Sequence, residues 1–146
     1  MIDNTNDKFK EVIVTKDELN QVVEEISKYF KINTTILLYG GLGAGKTTFT
    51  KKLLESLGVK ELVTSPTFTL MNQYQVNEVK INHIDAYRLS NTSDYDMFLE
   101  EMLDSFNVIE WPENFKINYS DYFNLIKIKI EYIDEETRKF KIIEGK

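Results

Sequence analysis

The chain has 146 residues, 42% of them hydrophobic and 12% aromatic, which is enough for a packed core and excludes a disordered segment. A formal net charge of -6 argues against a surface that grips nucleic acid unaided, and the lack of cysteine excludes disulfides, zinc–thiolate centres and thiol nucleophiles. One domain, 1–146, is expected behind a polar tail of about residues 1–9; without a membrane-length apolar run or an apolar leader, the expected location is cytoplasmic, with no membrane partner.

In chain order, "TKDELNQVVEEISKYF" comes first. Thr15 and Glu18 have capping-box spacing, and Leu19, Val22, Val23, Ile26 and Phe30 share one face, so the run predicts a helix. "TTILLY", 34–39, is short, apolar and rich in β-branched residues, like a strand buried on both faces of a parallel sheet. It feeds a glycine-rich loop, and "KTTFTKKLLESLG" then reads as a helix stopped by Gly58. "VKELVTSPTFTLMNQY" reads as a loop and an extended segment around Pro66.

"VKINHIDAY" and "FNVIEWP" are strands ending in carboxylates, separated by the helical pattern of "DYDMFLEEMLDSF". From Leu89 to Phe115 there is no Lys or Arg, while Asp94, Asp96, Glu100, Glu101, Asp104, Glu110 and Glu113 all fall there. The simpler reading is a solvated acidic helix face, the sharper one a surface for a basic partner. The C-terminal run alternates Ile126, Ile128, Ile130 and Tyr132 with charges, turns at Asp134 to Glu136 and resumes with Phe140 and Ile142, which predicts an antiparallel hairpin. The fold class is therefore α/β, with a mainly parallel central sheet flanked by helices and a C-terminal antiparallel hairpin.

Gly40, Gly45, Lys46 and Thr47 satisfy G-x-x-x-x-G-K-[ST]. The match lies between a buried strand and a helix. There the backbone N–H groups of Gly41, Leu42, Gly43, Ala44, Gly45, Lys46 and Thr47, with Thr48 following, can wrap a triphosphate, and the helix N-terminus adds positive potential. Lys46 then reaches the β- and γ-phosphates, and the Thr47 hydroxyl can ligate Mg²⁺. Such a domain also needs an acid on the Mg²⁺ side and a group that places water. Asp85 and Glu110 qualify, since each closes a predicted strand at the end where an open α/β sheet presents its ligand site; the alternative is a solvated strand-end carboxylate.

Absences narrow the class. There is no N-K-x-D to read guanine, and "DAYR" has no glycine at its fourth position, so a GTPase switch is disfavoured. Arg88 and Arg138 are the only arginines, too few for the arginine-rich lid of a small P-loop kinase. What remains is a compact ATPase awaiting help in trans. A nucleotide-gated binding module without significant hydrolysis and a small P-loop kinase are the alternatives.

"LLYGGLGAGKTTF", "SPTFTL", "HIDAYRL" and "IEWP", in that order across most of Ile36 to Pro112, resemble the bacterial TsaE (YjeE-like) family. These are ATPases that serve formation of threonylcarbamoyladenosine in tRNA. The resemblance implies a P-loop α/β fold, ATP with Mg²⁺, and weak ATPase activity. It also implies work with a threonylcarbamoyl transferase subunit and its noncatalytic paralogue, tRNA being reached through that complex rather than by strong direct binding.

Carried over by position, the resemblance puts Lys46 and Thr47 in the cradle, makes Glu110 the second Mg²⁺-side ligand and lets Asp85 orient the attacking water. It makes Ser65, Pro66 and Thr67 a switch in which the Thr67 hydroxyl senses the γ-phosphate. The family pattern commonly reads G-D-L-G-A-G-K-T, and Gly41 stands here in place of the acid. Adenine contacts fall outside the motifs, with Glu18 and Arg138 as candidates. Trp111 is expected on the sheet face opposite Glu110 if the strand continues, for core packing or a partner contact. Tyr87 and Arg88 face a partner or neutralise Asp85, and His83 is a strand residue without a second His for a metal site.

Overall fold

A computed structural model of the chain describes residues 8–63, 71–89 and 95–145. Among these residues seven strands form one sheet: β1 (Lys8–Thr15), β2 (Thr34–Tyr39), β3 (Met71–Val76), β4 (Val79–Asp85), β5 (Phe106–Glu110), β6 (Asn124–Asp134) and β7 (Thr137–Gly145). Their order is β1-β7-β6-β2-β5-β4-β3. The four central strands β6, β2, β5 and β4 are parallel, while β1–β7, β6–β7 and β3–β4 pair antiparallel. The expected parallel centre and C-terminal hairpin are both present.

Position in the sheet explains the strand sequences. β2 is flanked on both edges and buried along all but its last residue, so it has no solvent face to alternate with. On one face Ile36, Leu38, Val108 and Ile128 meet Val22, Val23 and Ile26 of α1 (Leu19–Ser27) and Phe49, Leu53 and Leu54 of α2 (Lys46–Leu57). On the other face Leu37, Ile84 and Ile109 pack with Met102 of α3 (Tyr95–Met102) and with Phe115, Tyr119 and Phe123. α2 ends as expected: Gly58 turns left-handed at φ 114°, and the Val59 N–H returns to the Leu54 carbonyl at 3.0 Å.

Three elements depart from the sequence expectations. The first helix is shorter than the run from Thr15 to Phe30, because Thr15 closes β1 and Lys16–Glu18 forms a 3₁₀ turn before α1. The expected capping box between Thr15 and Glu18 is present at this turn, with the Thr15 N–H donating to Glu18 Oε1 at 2.9 Å. β1 itself begins inside the polar tail. It is an edge strand with Phe9 and Ile13 exposed and Val14 buried, so its apolar residues sit on both faces and no clean alternation marks it. Finally, β3 and β4 form a hairpin whose two turn residues, Asn77 at φ 49° and Glu78 at φ 70°, are both left-handed; a glutamate at the second position hides the turn. In the acidic segment, Asp96, Glu100 and Glu101 are exposed, and Glu101 accepts from Lys80 Nζ at 2.7 Å and Gln73 Nε2 at 2.8 Å.

Candidate functional site

β2 delivers the chain to the glycine-rich loop at the C-terminal edge of the sheet, and α2 carries it away. The loop leaves β2 through Gly40, at φ 153°, where an added Cβ would lie 2.8 Å from the Ile130 carbonyl oxygen. Only a residue without a side chain lets this backbone pass so close to β6. The register then sets Leu38, Glu110 and Asp85 side by side on β2, β5 and β4, and Glu110 meets the start of α2 through Thr47.

Lys46 is 5% exposed. Its ammonium donates to the carbonyls of Gly40 at 2.6 Å and Gly41 at 2.9 Å, and stands 4.2 Å from the centre of the Trp111 ring. Burial pulls this ammonium below the usual lysine range, against the opposing pull of the Glu110, Glu113 and Asp85 carboxylates. Next along the helix, the Thr47 hydroxyl donates to Glu110 at 3.0 Å from Oε1 and 3.3 Å from Oε2. Glu110 is 3% exposed, so the terminal acid is no solvated strand end. Its Oε2 also lies 2.7 Å from Nε2 of the fully buried His83.

Asp85 is half-buried, and its Oδ1 accepts the Tyr87 N–H at 3.0 Å. Arg88 is exposed. The Tyr87 ring lies 5.0 Å from that of Trp111. Trp111 leaves β5 in a left-handed conformation at φ 60°, ψ 50°; its ring packs against the core opposite Glu110, as expected, and also stands over Lys46. An attractive ammonium–ring contact holds it there.

Two adjoining cavities open on this constellation. One, of about 440 Å³, is lined by Leu42, Gly43, Lys46, Thr47, Asp85 and Glu110, together with Tyr87 and Trp111. The other, of about 270 Å³, is walled by Val14, Leu19, Ala44, Lys52 and Phe140. Lys16, Gly45, Thr48 and Arg138 border both. Arg138 Nε donates to the Ala44 carbonyl at 2.9 Å and its guanidinium stacks 4.7 Å from the Tyr132 ring, so β7 braces the loop.

The sequence-predicted residues thus converge for the most part. Glu18 does not line either cavity; its carboxylate accepts from Thr15, while its neighbours Lys16 and Leu19 reach the cavity walls. Gly41 contributes its carbonyl, and an added Cβ there would meet nothing within 4 Å, so the missing acid is a chemical rather than a steric difference. Ser65, Pro66 and Thr67 lie outside the described residues. His83 was the residue whose part sequence reasoning missed. The signal was there: it stands two before Asp85 on the same strand, hence on the same face.

Chemically, a buried ammonium beside a helix N-terminus can hold a polyphosphate. The oxygen donors of Thr47 and Glu110 suit a hard dication that keeps waters and phosphate oxygens as its other ligands. Among the described residues no group of three or more His, Cys, Asp and Glu forms a self-contained metal cage, and no helix is long and apolar enough to cross a membrane.

Comparison with known proteins adds independent findings. The family model for threonylcarbamoyl adenosine biosynthesis protein TsaE matches residues 13–140. The tRNA threonylcarbamoyladenosine biosynthesis protein TsaE of Aquifex aeolicus is 42% identical over 136 residues, covering 91% of this chain and 95% of that protein. Its namesake from Bacillus subtilis is 36% identical over 100 residues, or 67% of this chain and 63% of that protein. The crystal structure of Bacillus subtilis YdiB superposes with a TM-score of 0.72 at 22% identity, covering 96% of this chain and 88% of that one.

Proposed function

From the premise that the chain belongs to the TsaE family, we propose that it is an Mg²⁺-dependent ATP-binding and ATP-hydrolysing subunit required for threonylcarbamoyladenosine formation in tRNA. The observation that carries this reading is the convergence of Lys46, Thr47, Glu110 and Asp85 on one cavity beside a glycine-rich loop. In this reading the loop N–H groups from Gly41 to Thr48 bind the phosphates, and Lys46 turns its ammonium from the Gly40 and Gly41 carbonyls to the β- and γ-phosphates. Thr47 and Glu110 would hold Mg²⁺, which when bound would offset the negative charge of the phosphates. Asp85, at the neighbouring strand end, orients the attacking water, and Thr67 senses the γ-phosphate. The adenine occupies the adjoining cavity, between the apolar walls of Val14, Leu19 and Phe140 and beside Arg138.

Hydrolysis by the chain alone is slow in this account. Arg138 is committed to the Ala44 carbonyl and to Tyr132, and Arg88 is exposed on the surface, so no arginine of this chain is poised to stabilise the transferring phosphoryl group. The missing help comes from the threonylcarbamoyl transferase subunit and its noncatalytic paralogue, through which the chain acts on tRNA in the cytoplasm. Depletion of the protein is expected to lower threonylcarbamoyladenosine in bulk tRNA, measured by mass spectrometry of nucleosides. Unchanged levels after depletion would contradict the proposal.

A further inference from the structure

The imidazole of His83 is fully buried, its Nε2 lies 2.7 Å from Glu110 Oε2, and its Nδ1 has no hydrogen-bond partner among the described residues. Burying a polar ring with one nitrogen unpaired carries a cost, so the ring is not there for packing alone. An apolar side chain of similar size would fill the same space without an orphaned atom. Among the described residues, the polar contact that offsets the cost is the one to Glu110.

That contact acts on a particular degree of freedom. A glutamate carboxylate at the end of a strand can rotate about its last bond, exchanging its two oxygens and swinging away from a neighbour. Here Oε2 is held from below by His83, while Oε1 receives the Thr47 hydroxyl at 3.0 Å. β4 and β5 fix the distance, since His83 faces Val108 and Asp85 faces Glu110 in the parallel register, leaving the imidazole to reach diagonally one step along the sheet.

We propose that His83 is a positioning residue: it locks the Glu110 carboxylate in the rotamer that points one oxygen at Thr47, and so presets the protein's side of the Mg²⁺ site. This rests on the assignment of Glu110 and Thr47 to Mg²⁺. Partners of this kind behind a metal ligand typically change metal affinity or activity by about 10–100-fold.

The test is calorimetric titration of the full chain with ATP, in EDTA and across a series of Mg²⁺ concentrations, for wild type, His83→Leu and His83→Gln. Leucine fills the space without a donor, whereas the glutamine amide can reach where Nε2 does. His83→Leu is expected to raise the Mg²⁺ concentration needed for half the gain in ATP affinity by about 10-fold or more, leaving affinity in EDTA unchanged. His83→Gln is expected to restore most of the difference, which a space-filling role for the ring would not predict.

The proposal is overturned if His83→Leu titrates like wild type, if it loses affinity equally in EDTA, or if a His83→Gln protein that melts like wild type remains as impaired as leucine. A wild-type chain whose ATP affinity ignores Mg²⁺ would overturn the assignment of Glu110 as well, a pattern distinct from failure of His83 alone. Should His83→Leu fail to fold, His83→Met takes its place, with the same expected shift, the same comparison with His83→Gln and the same overturning results.

Discussion

Replacing Lys46 by alanine is expected to weaken ATP binding about 100-fold or more while leaving the fold intact. The ammonium is buried beside the loop, where its charge is poorly screened, and charge-assisted hydrogen bonds to phosphate contribute roughly 1.5–3 kcal/mol each. Loss of two such bonds corresponds to about 100-fold or more in affinity. Stability is affected much less. Among the described residues the ammonium satisfies the carbonyls of Gly40 and Gly41 and the face of Trp111, and Gly41 is exposed, so water can replace it. Removing the charge also removes the desolvation that pulls its titration down. Calorimetry against ATP and a thermal melt separate the two effects; equal ATP affinity in the variant and wild type would sink the cradle assignment.

The second large effect is expected at Glu110. Glu110→Gln should lower Mg²⁺-dependent hydrolysis about 100-fold and abolish the Mg²⁺-dependent gain in ATP affinity, with affinity in EDTA close to wild type. Glutamine keeps the volume and one acceptor oxygen for Thr47, so the comparison isolates the charge. Glu110→Ala is less clean: it strips the partner from the Thr47 hydroxyl and from buried His83, and each orphaned group costs roughly 1–3 kcal/mol. A lower melting temperature is therefore expected for alanine than for glutamine. Wild-type hydrolysis by Glu110→Gln, measured as phosphate release in saturating ATP and Mg²⁺, would remove Glu110 from the chemistry.

The parts of the fold that were legible beforehand are those in which local pattern and tertiary role agree. β2 is uninterruptedly apolar because it lies between two strands and two cores, and α2 is bracketed by glycines that the backbone needs in left-handed conformations. Asp85 and Glu110 could be placed side by side because strand ends in a parallel sheet converge on one edge. β1 was illegible for the opposite reason: an edge strand with Phe9 and Ile13 exposed needs no alternation, and its pairing with β7 joins segments at opposite ends of the chain. The turn at Asn77 and Glu78 lacks the usual glycine.

At the site, the missing information was conformational. The alternation of a strand predicts Trp111 against the core opposite Glu110, where it does pack, but not that a left-handed backbone also brings its ring over Lys46. The apolar cavity was equally hidden, since Val14, Leu19, Ala44 and Phe140 come from four separate elements and meet only when β1 and β7 pair beside the loop. Arg138 was a sequence candidate for the adenine contact, and its bond to the Ala44 carbonyl ties it to the loop itself.

The central claim, that this chain is a slow ATPase completed by partners, is tested most directly by Mg²⁺-dependent ATP hydrolysis of the purified protein, alone and then with the transferase subunit and its noncatalytic paralogue from the same organism. The account predicts a low rate alone and a sharp rise only with the pair. Tight ATP binding with no rise on adding the pair would contradict it.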